Sequence, residues 1–424
     1  MPVDLTHEIA LRWIGPEVSH VPLLKEGGIT AVIAPSNESF EKACAAAGIH
    51  FIPESGVRLV EVRDAGKAVP GEITLIRSGV WPGVQSPDAS VASATRSLWI
   101  DQNCHLAGYV RTLYPRLPVL LGYRPDADAG VSAGRVVRRE SLELALVEAW
   151  VTGGNYIMAL DADYRDALLR RADNAMSAWR GLGRTAAWLR AHSFLFGRPA
   201  LPVVTVLIDH GDMSFEIANL CYRQNLSPAL APAADPPPPD PQRRLVVSAA
   251  GIERPDAAIG RRILAHAEAG ATVVTDEPGE KAWWRAPGLK PLRSDPDRDV
   301  FSLGKGQVVA YREPVSDPGD FALDLIDIVG QKRRATRMWN CMAGLALATE
   351  APRTGPVTGV AAVHIINYGR PIDLPVLVRV QGRFSRGTLL RPEAAPVELK
   401  TAPRGTASEV ALPQLACVAT VVFR

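Results

Sequence analysis

Acidic, basic and aromatic side chains follow three short apolar segments in the middle of the chain. The segments cover residues 73–76, 119–123 and 156–160, and Trp81, Arg124, Asp161 and Asp163 come shortly after them. Carboxylates donate or accept protons, aromatic rings stack on apolar ring faces, and Arg binds carboxylates through paired hydrogen bonds. This combination is typical of a sugar site and predicts acid–base chemistry on such a ligand.

Two acidic residues are candidates for the reacting groups. Asp161 directly follows the apolar run YIMAL, and Glu54 directly follows HFIP at an earlier segment. Strand ends hold side chains rigidly enough to keep two carboxylates about 5 to 9.5 Å apart, the separation used in hydrolysis of a glycosidic bond. Asp161 has an alternative role as the N-cap of a helix beginning near Tyr164, which Asp163 could supply equally well.

Polar and aromatic residues near the same segment ends are candidates for binding the ligand. They are Trp81, Asp101, Asn103, Tyr123, Arg124 and Asp163. Helix capping explains Asp101 or Asn103 but not both. Arg124 can bind a carboxylate through two hydrogen bonds, either that of the nearby Asp126 or that of a uronic acid ligand. The ion pair with Asp126 is the favoured hypothesis.

Alternation of strands and helices must position these residues. Apolar runs at 11–15, 31–34 and 50–53 precede the three segments, and helical stretches separate most of them. Such repeats predict parallel strands and a β/α barrel, whose strand ends open on one face. Six units before residue 195 are fewer than the eight of a complete barrel, so the barrel is either compressed or incomplete. The loop over residues 79–96 is expected to fold over that face.

The pattern changes twice further along the chain. Strand and helix signals from residue 201 onwards predict a small doubly wound α/β domain, interrupted by the Pro-rich tract ALAPAADPPPPDPQ. Short alternating strands with Gly and Pro turns then predict a β-sandwich. The expected domains are residues 1–197, 198–332 and 333–424.

Composition excludes several classes of function. A formal net charge of +2 provides no basic field for nucleic acid, and five scattered cysteines signal neither a zinc site nor disulfides. Because the cysteines are scattered, we expect no metal. No G-x-G-x-x-G follows a predicted strand, and we expect no cofactor. Without a signal peptide or a long apolar run, a soluble, cytoplasmic protein without membrane contact is expected. An exposed Pro-rich tract leaves a homo-oligomer open.

The order of the three domains resembles that of barrel glycoside hydrolases related to the β-galactosidases, which carry an amidotransferase-like middle domain. The motifs VWPGVQSPD, LWIDQN, NYIMALDADYR and VHIINYG are similar to those of uncharacterised bacterial proteins grouped with the glycoside hydrolases. The resemblance implies cleavage of a glycosidic bond by two carboxylates, with a carbohydrate as the ligand. A non-catalytic carbohydrate-binding or scaffold protein on the same fold is the alternative.

Two departures from the resembled pattern stand out. Barrel glycosidases of this kind place an Asn-Glu pair after the fourth strand, whereas Asn37-Glu38 follows the second predicted strand here. An amidotransferase needs a Cys on a tight strand-to-helix turn, whereas Cys221 lies within a predicted helix without that turn. We therefore expect no amidotransferase activity, and a packing role for the middle domain.

Overall fold

The computed structural model describes residues 4–69, 71–78, 80–82, 101–123, 139–201, 203–241, 245–286 and 289–424. Arg124, Asp126 and most of the predicted 79–96 loop lie outside the described residues. Within the described ranges, no helix is both long and apolar enough to cross a membrane.

The N-terminal part of the described chain forms a seven-stranded, all-parallel sheet in the order β3-β2-β1-β7-β6-β5-β4. Its strands are β1 Ala10–Arg12, β2 Ala31–Ala34, β3 His50–Pro53, β4 Val57–Val60, β5 Ile73–Arg77, β6 Leu120–Gly122 and β7 Asn155–Ala159. Its helices are α1 Val21–Glu26, α2 Glu38–Ala46, α3 Cys104–Leu113, α4 Glu140–Val151, α5 Ala162–Leu169 and α6 Asp173–Ala191. Parallel strands with helical crossovers confirm the predicted barrel class.

A three-residue connection forces this sheet to curl. β3 and β4 are the two edges of the sheet, yet only the 3-10 turn Glu54–Gly56 separates them in the chain. Four Cα steps span at most about 14 Å, whereas the edges of a flat seven-stranded sheet lie about 29 Å apart. The two edges must therefore approach each other, which gives a curled, incomplete barrel.

The structure decides two details of the barrel that the sequence left open. The charged region over residues 56–71 could have folded back as a short hairpin, but β4 pairs in parallel with β5, because the preceding turn carries the chain to the free edge. Of Asp101 and Asn103, it is Asn103 that occupies the N-cap position of α3, without a capping hydrogen bond from its side chain.

The middle part of the described chain forms a second seven-stranded sheet, in the order β12-β13-β14-β11-β10-β8-β9. Its strands are β8 Val204–Ile208, β9 Ala229–Pro232, β10 Val246–Ser248, β11 Thr272–Thr275, β12 Pro291–Ser294, β13 Arg298–Leu303 and β14 Gly306–Tyr311, with helices α7 Asp212–Arg223, α8 Ala257–Ala269 and α9 Pro318–Val329. Its five parallel strands follow the second-first-third-fourth-fifth order of flavodoxin-like domains. The predicted doubly wound class is confirmed, with an added antiparallel hairpin.

The Pro-rich tract packs on the middle domain instead of projecting from it. Pro236 is buried, and the Arg262 guanidinium of α8 donates to its carbonyl oxygen at 2.6 Å. His266 of the same helix lies 2.9 Å from the Pro237 carbonyl oxygen. Proline has no backbone N–H, so a Pro-rich segment forms few backbone hydrogen bonds of its own. Its carbonyl oxygens can then accept hydrogen bonds from the side chains of a neighbouring helix.

The C-terminal part is a β-sandwich, as predicted. Its strands are β15 Thr336–Trp339, β16 Gly344–Glu350, β17 Ala361–Asn367, β18 Val376–Gln381, β19 Arg386–Leu390, β20 Val397–Lys400, β21 Ala402–Arg404, β22 Ala407–Leu412 and β23 Val418–Phe423. They form antiparallel sheets in the orders β15-β18-β22-β21 and β16-β17-β23-β19-β20. Residues 361–424, all described, contain no helix. The domain limits at 197 and 332 stay predictions.

A close backbone approach at the end of α1 gives a test of the barrel packing. A Cβ on Gly27 would lie 2.1 Å from Cε2 of Trp179, a fully buried ring that donates to the Leu23 carbonyl. We expect Gly27→Ala to destabilise the protein by about 1 to 3 kcal/mol, since the ring must shift within a packed core. Chemical denaturation followed by Trp fluorescence measures this change.

The matched control is Gly181→Ala on α6, where a new Cβ meets only Arg184 Nη2 at 3.8 Å. Alanine is the better helix former by about 1 kcal/mol, so this variant should be as stable as the parent or more so. Equal stability of the two variants would contradict the packing argument.

Candidate functional site at the barrel mouth

Charged side chains occupy the inward-facing positions where the barrel strands end. The interior of the sheet is a cluster that includes Ala10, Ile52 and Leu75, with Leu59 packed against it. Side chains two positions further along a strand point to the same side of the sheet. By this rule Arg12, Glu54, Glu61 and Arg77 take inward positions at the carboxyl ends of their strands.

These four side chains form two ion pairs. Arg12 Nη2 lies 2.6 Å from Glu54 Oε1, and Arg77 Nη1 lies 3.1 Å from Glu61 Oε1. Arg12 Nη1 also donates to the carbonyl oxygen of Tyr123 at 3.4 Å. Glu54 follows β3 and Tyr123 follows β6, four strand positions apart, so one guanidinium reaches across the mouth of the curled sheet.

The Arg12–Glu54 pair has an enclosed and an open partner. The Arg12 side chain is 13% exposed, and its Nε is buried with no acceptor in the described part of the chain. The Glu54 side chain is 44% exposed. The arginine thus fixes the carboxylate from within the barrel, while the carboxylate faces solvent and could reach a ligand.

Asp161, the other predicted reacting residue, caps α5. Its Oδ1 accepts a hydrogen bond from the Tyr164 backbone N–H at 2.7 Å. Asp161 is half-buried, and its Oδ2 has no hydrogen-bond partner among the described residues. Asp163 lies in the first turn of α5 and is exposed. The capping role that the sequence left open between these two residues belongs to Asp161.

Trp81 and Tyr123 lie in the core layer outside the sheet. Their rings stack with centroids 4.3 Å apart, and the Tyr156 ring contacts both edge to face. Tyr123 also donates its hydroxyl hydrogen to the Val80 carbonyl. Alternation along β6 turns Tyr123 outward, away from the interior cluster that contains Leu120. These rings therefore stack on each other, and their role in binding a ligand stays a prediction.

Asp101 and Asn103 are buried near the start of α3. The Asn103 amide exchanges two hydrogen bonds with the Val80 backbone, at 2.7 and 3.1 Å. Its backbone N–H lies 3.2 Å from both carboxylate oxygens of Glu148 on α4. These contacts hold the segment after β5 against the helices, which accounts for Asn103 without a ligand.

Two charged residues were missed by the sequence reasoning. Arg12 is the last residue of the first strand, and a charge ending an apolar run was the available signal. Glu148 is an acid inside the otherwise apolar helix α4. It is 1% exposed, its Oε1 accepts from the Tyr368 hydroxyl of the sandwich at 2.7 Å, and burial raises its pKa to about 8.

The fold is similar to that of barrel glycoside hydrolases. An α-L-fucosidase from Paenibacillus thiaminolyticus matches with a TM-score of 0.51 and 10% identity, over 91% of this chain and 71% of that chain. A GH42 β-galactosidase from G. stearothermophilus matches with a TM-score of 0.50 and 10% identity, over 91% of this chain and 66% of that chain. No family model matches the sequence, and no curated protein matches it.

The likeness covers the barrel and the C-terminal sandwich, and it confirms the predicted glycoside hydrolase architecture. At 10% identity it defines the fold alone. The Asn-Glu pair shows why residues are not transferred: Asn37 caps α2 by accepting from Phe40 N at 3.1 Å, and Glu38 pairs with exposed Lys42. Both side chains have structural partners on or next to α2, which follows β2.

The buried Glu148 predicts how stability depends on pH. Its pKa is about 8 in the folded protein, against about 4.3 in an unfolded chain. Between these values the folded state holds a proton that the unfolded state has lost, so stability falls as pH rises, by up to about 1.4 kcal/mol per pH unit. Glu148→Gln keeps a neutral side chain of similar shape and should remove this dependence.

Melting temperatures of the parent and of Glu148→Gln between pH 5 and 8 measure the difference. The parent should lose stability relative to the variant as pH rises through this range. Glu140→Gln, at the exposed start of the same helix, should follow the parent. A constant difference between parent and Glu148→Gln across this range would contradict a buried, protonated Glu148.

Proposed function

We propose that this protein binds a carbohydrate at the mouth of the barrel and hydrolyses a glycosidic bond there. One observation carries the proposal: Glu54 stands at an inward-facing strand end, held by Arg12 and open to solvent. The fold is similar to that of glycoside hydrolases, and barrels of this kind place their chemistry at the carboxyl ends of the strands.

Two carboxylates with different environments suit the two roles of such a hydrolysis. The Arg12 guanidinium holds the Glu54 carboxylate in one position, as the placement of a nucleophile or a general base requires. Asp161 is the proposed proton donor. It follows Ile157 by four positions, so it continues the inward-facing row of β7, and its Oδ2 is not used by the capping hydrogen bond.

A second candidate function is carbohydrate binding without catalysis. The capping bond of Asp161 supports it, because capping α5 gives this carboxylate a structural role without catalysis. With the Trp81 and Tyr123 rings stacked and buried, a sugar would be held, among the described residues, through Glu54, Glu61, Arg77 and Asp161.

The middle domain is proposed to serve packing instead of amide transfer. Cys221 lies inside α7 and is fully buried, and burial raises the pKa of its thiol to about 12. A thiol that stays protonated and inaccessible is not a nucleophile. A contact between subunits through this domain remains part of the proposal.

Turnover of a panel of aryl glycosides tests the hydrolase directly. With any substrate that the parent cleaves, Glu54→Gln and Asp161→Asn should each lower kcat by at least about a hundredfold, since each removes a reacting carboxylate. Asp161→Asn keeps the cap and should change stability by only a few tenths of a kcal/mol. Asp166→Asn, at an exposed position further along α5, is the matched control and should keep full activity.

Calorimetric titration with oligosaccharides separates the two candidate functions. Binding without turnover, weakened by Glu54→Gln, would establish the non-catalytic alternative. Full turnover by Asp161→Asn would show that Asp161 is a cap only and that another acid donates the proton. If the protein neither binds nor hydrolyses any of the sugars, the proposal is overturned.

A further inference from the structure

A cavity of about 340 Å³ lies where the three parts of the chain meet. Its walls come from α3 and the end of α4 in the barrel, from Tyr222 and the start of β9 in the middle domain, and from β16 in the sandwich. This volume is in the range of sites for small molecules, about 300 to 1,000 Å³. The cavity is lined by side chains other than those of the barrel mouth.

The charge lining this cavity is positive. Arg111 and Arg198 contribute to the wall, and the lining residues include no aspartate, glutamate or histidine. Arg111 donates to the carbonyl oxygens of Thr152 at 3.0 Å and of Gly197 at 2.9 Å. These neutral acceptors fix the guanidinium without neutralising its charge.

Arg198 has no ion pair and no hydrogen bond within the described residues, and its buried Nε lacks an acceptor. Several arginines elsewhere in the described chain are engaged by acids, as Arg298 is by Asp324 at 2.6 Å. Burying part of a guanidinium without an anionic partner is unfavourable, because the lost hydration is not replaced. A bound anion would supply the missing acceptor oxygens.

The neutral groups of the cavity suit the same ligand. The Tyr222 hydroxyl has no hydrogen-bond partner in the described part of the chain, whereas Thr112, Ser227 and Thr349 already bond to neighbours. The guanidinium groups of Arg111 and Arg198 and the Tyr222 hydroxyl are hydrogen-bond donors, and the two guanidinium groups are positively charged. Such a set matches an oxyanion, which accepts several charge-assisted hydrogen bonds.

We propose that this cavity is a binding site for a small oxyanion, a phosphate or carboxylate group on a ligand of monosaccharide size. Arg198 provides the bidentate contact, and Arg111 and Tyr222 bind the remaining oxygens. Because the walls come from all three parts of the chain, the bound anion would also hold these parts together. The proposal is independent of the chemistry at the barrel mouth.

Calorimetric titration and thermal melting with inorganic phosphate and with glucuronate, at constant ionic strength, test this site. A ligand that binds only the folded protein raises the melting temperature as its concentration rises. We expect saturable binding of at least one probe to the parent protein. Arg198→Gln should weaken that binding at least tenfold, and Arg198→Lys, which keeps the charge but not the fork, should weaken it less.

Arg261→Gln, on the exposed face of α8, is the control for loss of a positive charge and should bind as the parent does. Glu54→Gln should also bind the anion normally, which separates this site from the barrel mouth. Preference for phosphate or for glucuronate identifies the group that the site selects. No binding of either probe, or equal binding by the parent and Arg198→Gln, would overturn the proposal.

Discussion

The structure depends on one constraint of chain geometry: three residues join the two edge strands of the N-terminal sheet. Because Glu54–Gly56 is too short to cross a flat sheet, β3 and β4 must lie near each other, and the five strands between them in the sheet must curl. The curl brings the ends of β1, β3 and β6 within reach of the single Arg12 guanidinium. The same connector carries Glu54, so the turn that bends the sheet also supplies a paired carboxylate that is open to solvent at the mouth.

Burial separates the polar residues near the strand ends into two groups. Side chains that face the barrel interior, such as Arg12 and Glu54, form ion pairs at the barrel mouth, where Glu54 is open to solvent. Side chains that face away from the interior, such as Tyr123, are enclosed between the sheet and its helices. The Tyr123 hydroxyl donates a hydrogen bond to the nearby Val80 carbonyl oxygen. A buried polar group costs free energy unless it is hydrogen-bonded, and Tyr123 and Asn103 are accordingly tied to the Val80 backbone. The first group is therefore available for function and the second for stability.

The three parts of the chain are joined by polar as well as apolar contacts. Glu148 of α4 accepts from Tyr368 of the sandwich, and Gln102 lies 3.4 Å from Asn219 of the middle domain. On another side of the same junction, Arg111 and Arg198 face a cavity instead of partners of opposite charge. In a low-dielectric setting, polar contacts specify a relative placement more sharply than apolar ones, because a misplaced partner leaves a donor unpaired. Tertiary arrangement thus concentrates unusual electrostatics at this junction.

The sequence by itself determined the classes of the three parts, because hydrophobic periodicity and turn residues are local properties of the chain. β2 and β3 lie where the apolar runs place them, and the sandwich strands follow the alternating segments. The alternation of side chains between the two faces of a strand also depends on the chain alone. It shows which residues face the barrel interior only once the strand limits and the curvature of the sheet are known. Which of Glu54, Tyr123 and Asn103 faces the mouth was therefore decided by the tertiary structure. The same holds for Arg12 and Glu148, whose partners are 42 and 220 residues away in the chain, beyond the range of any local pattern.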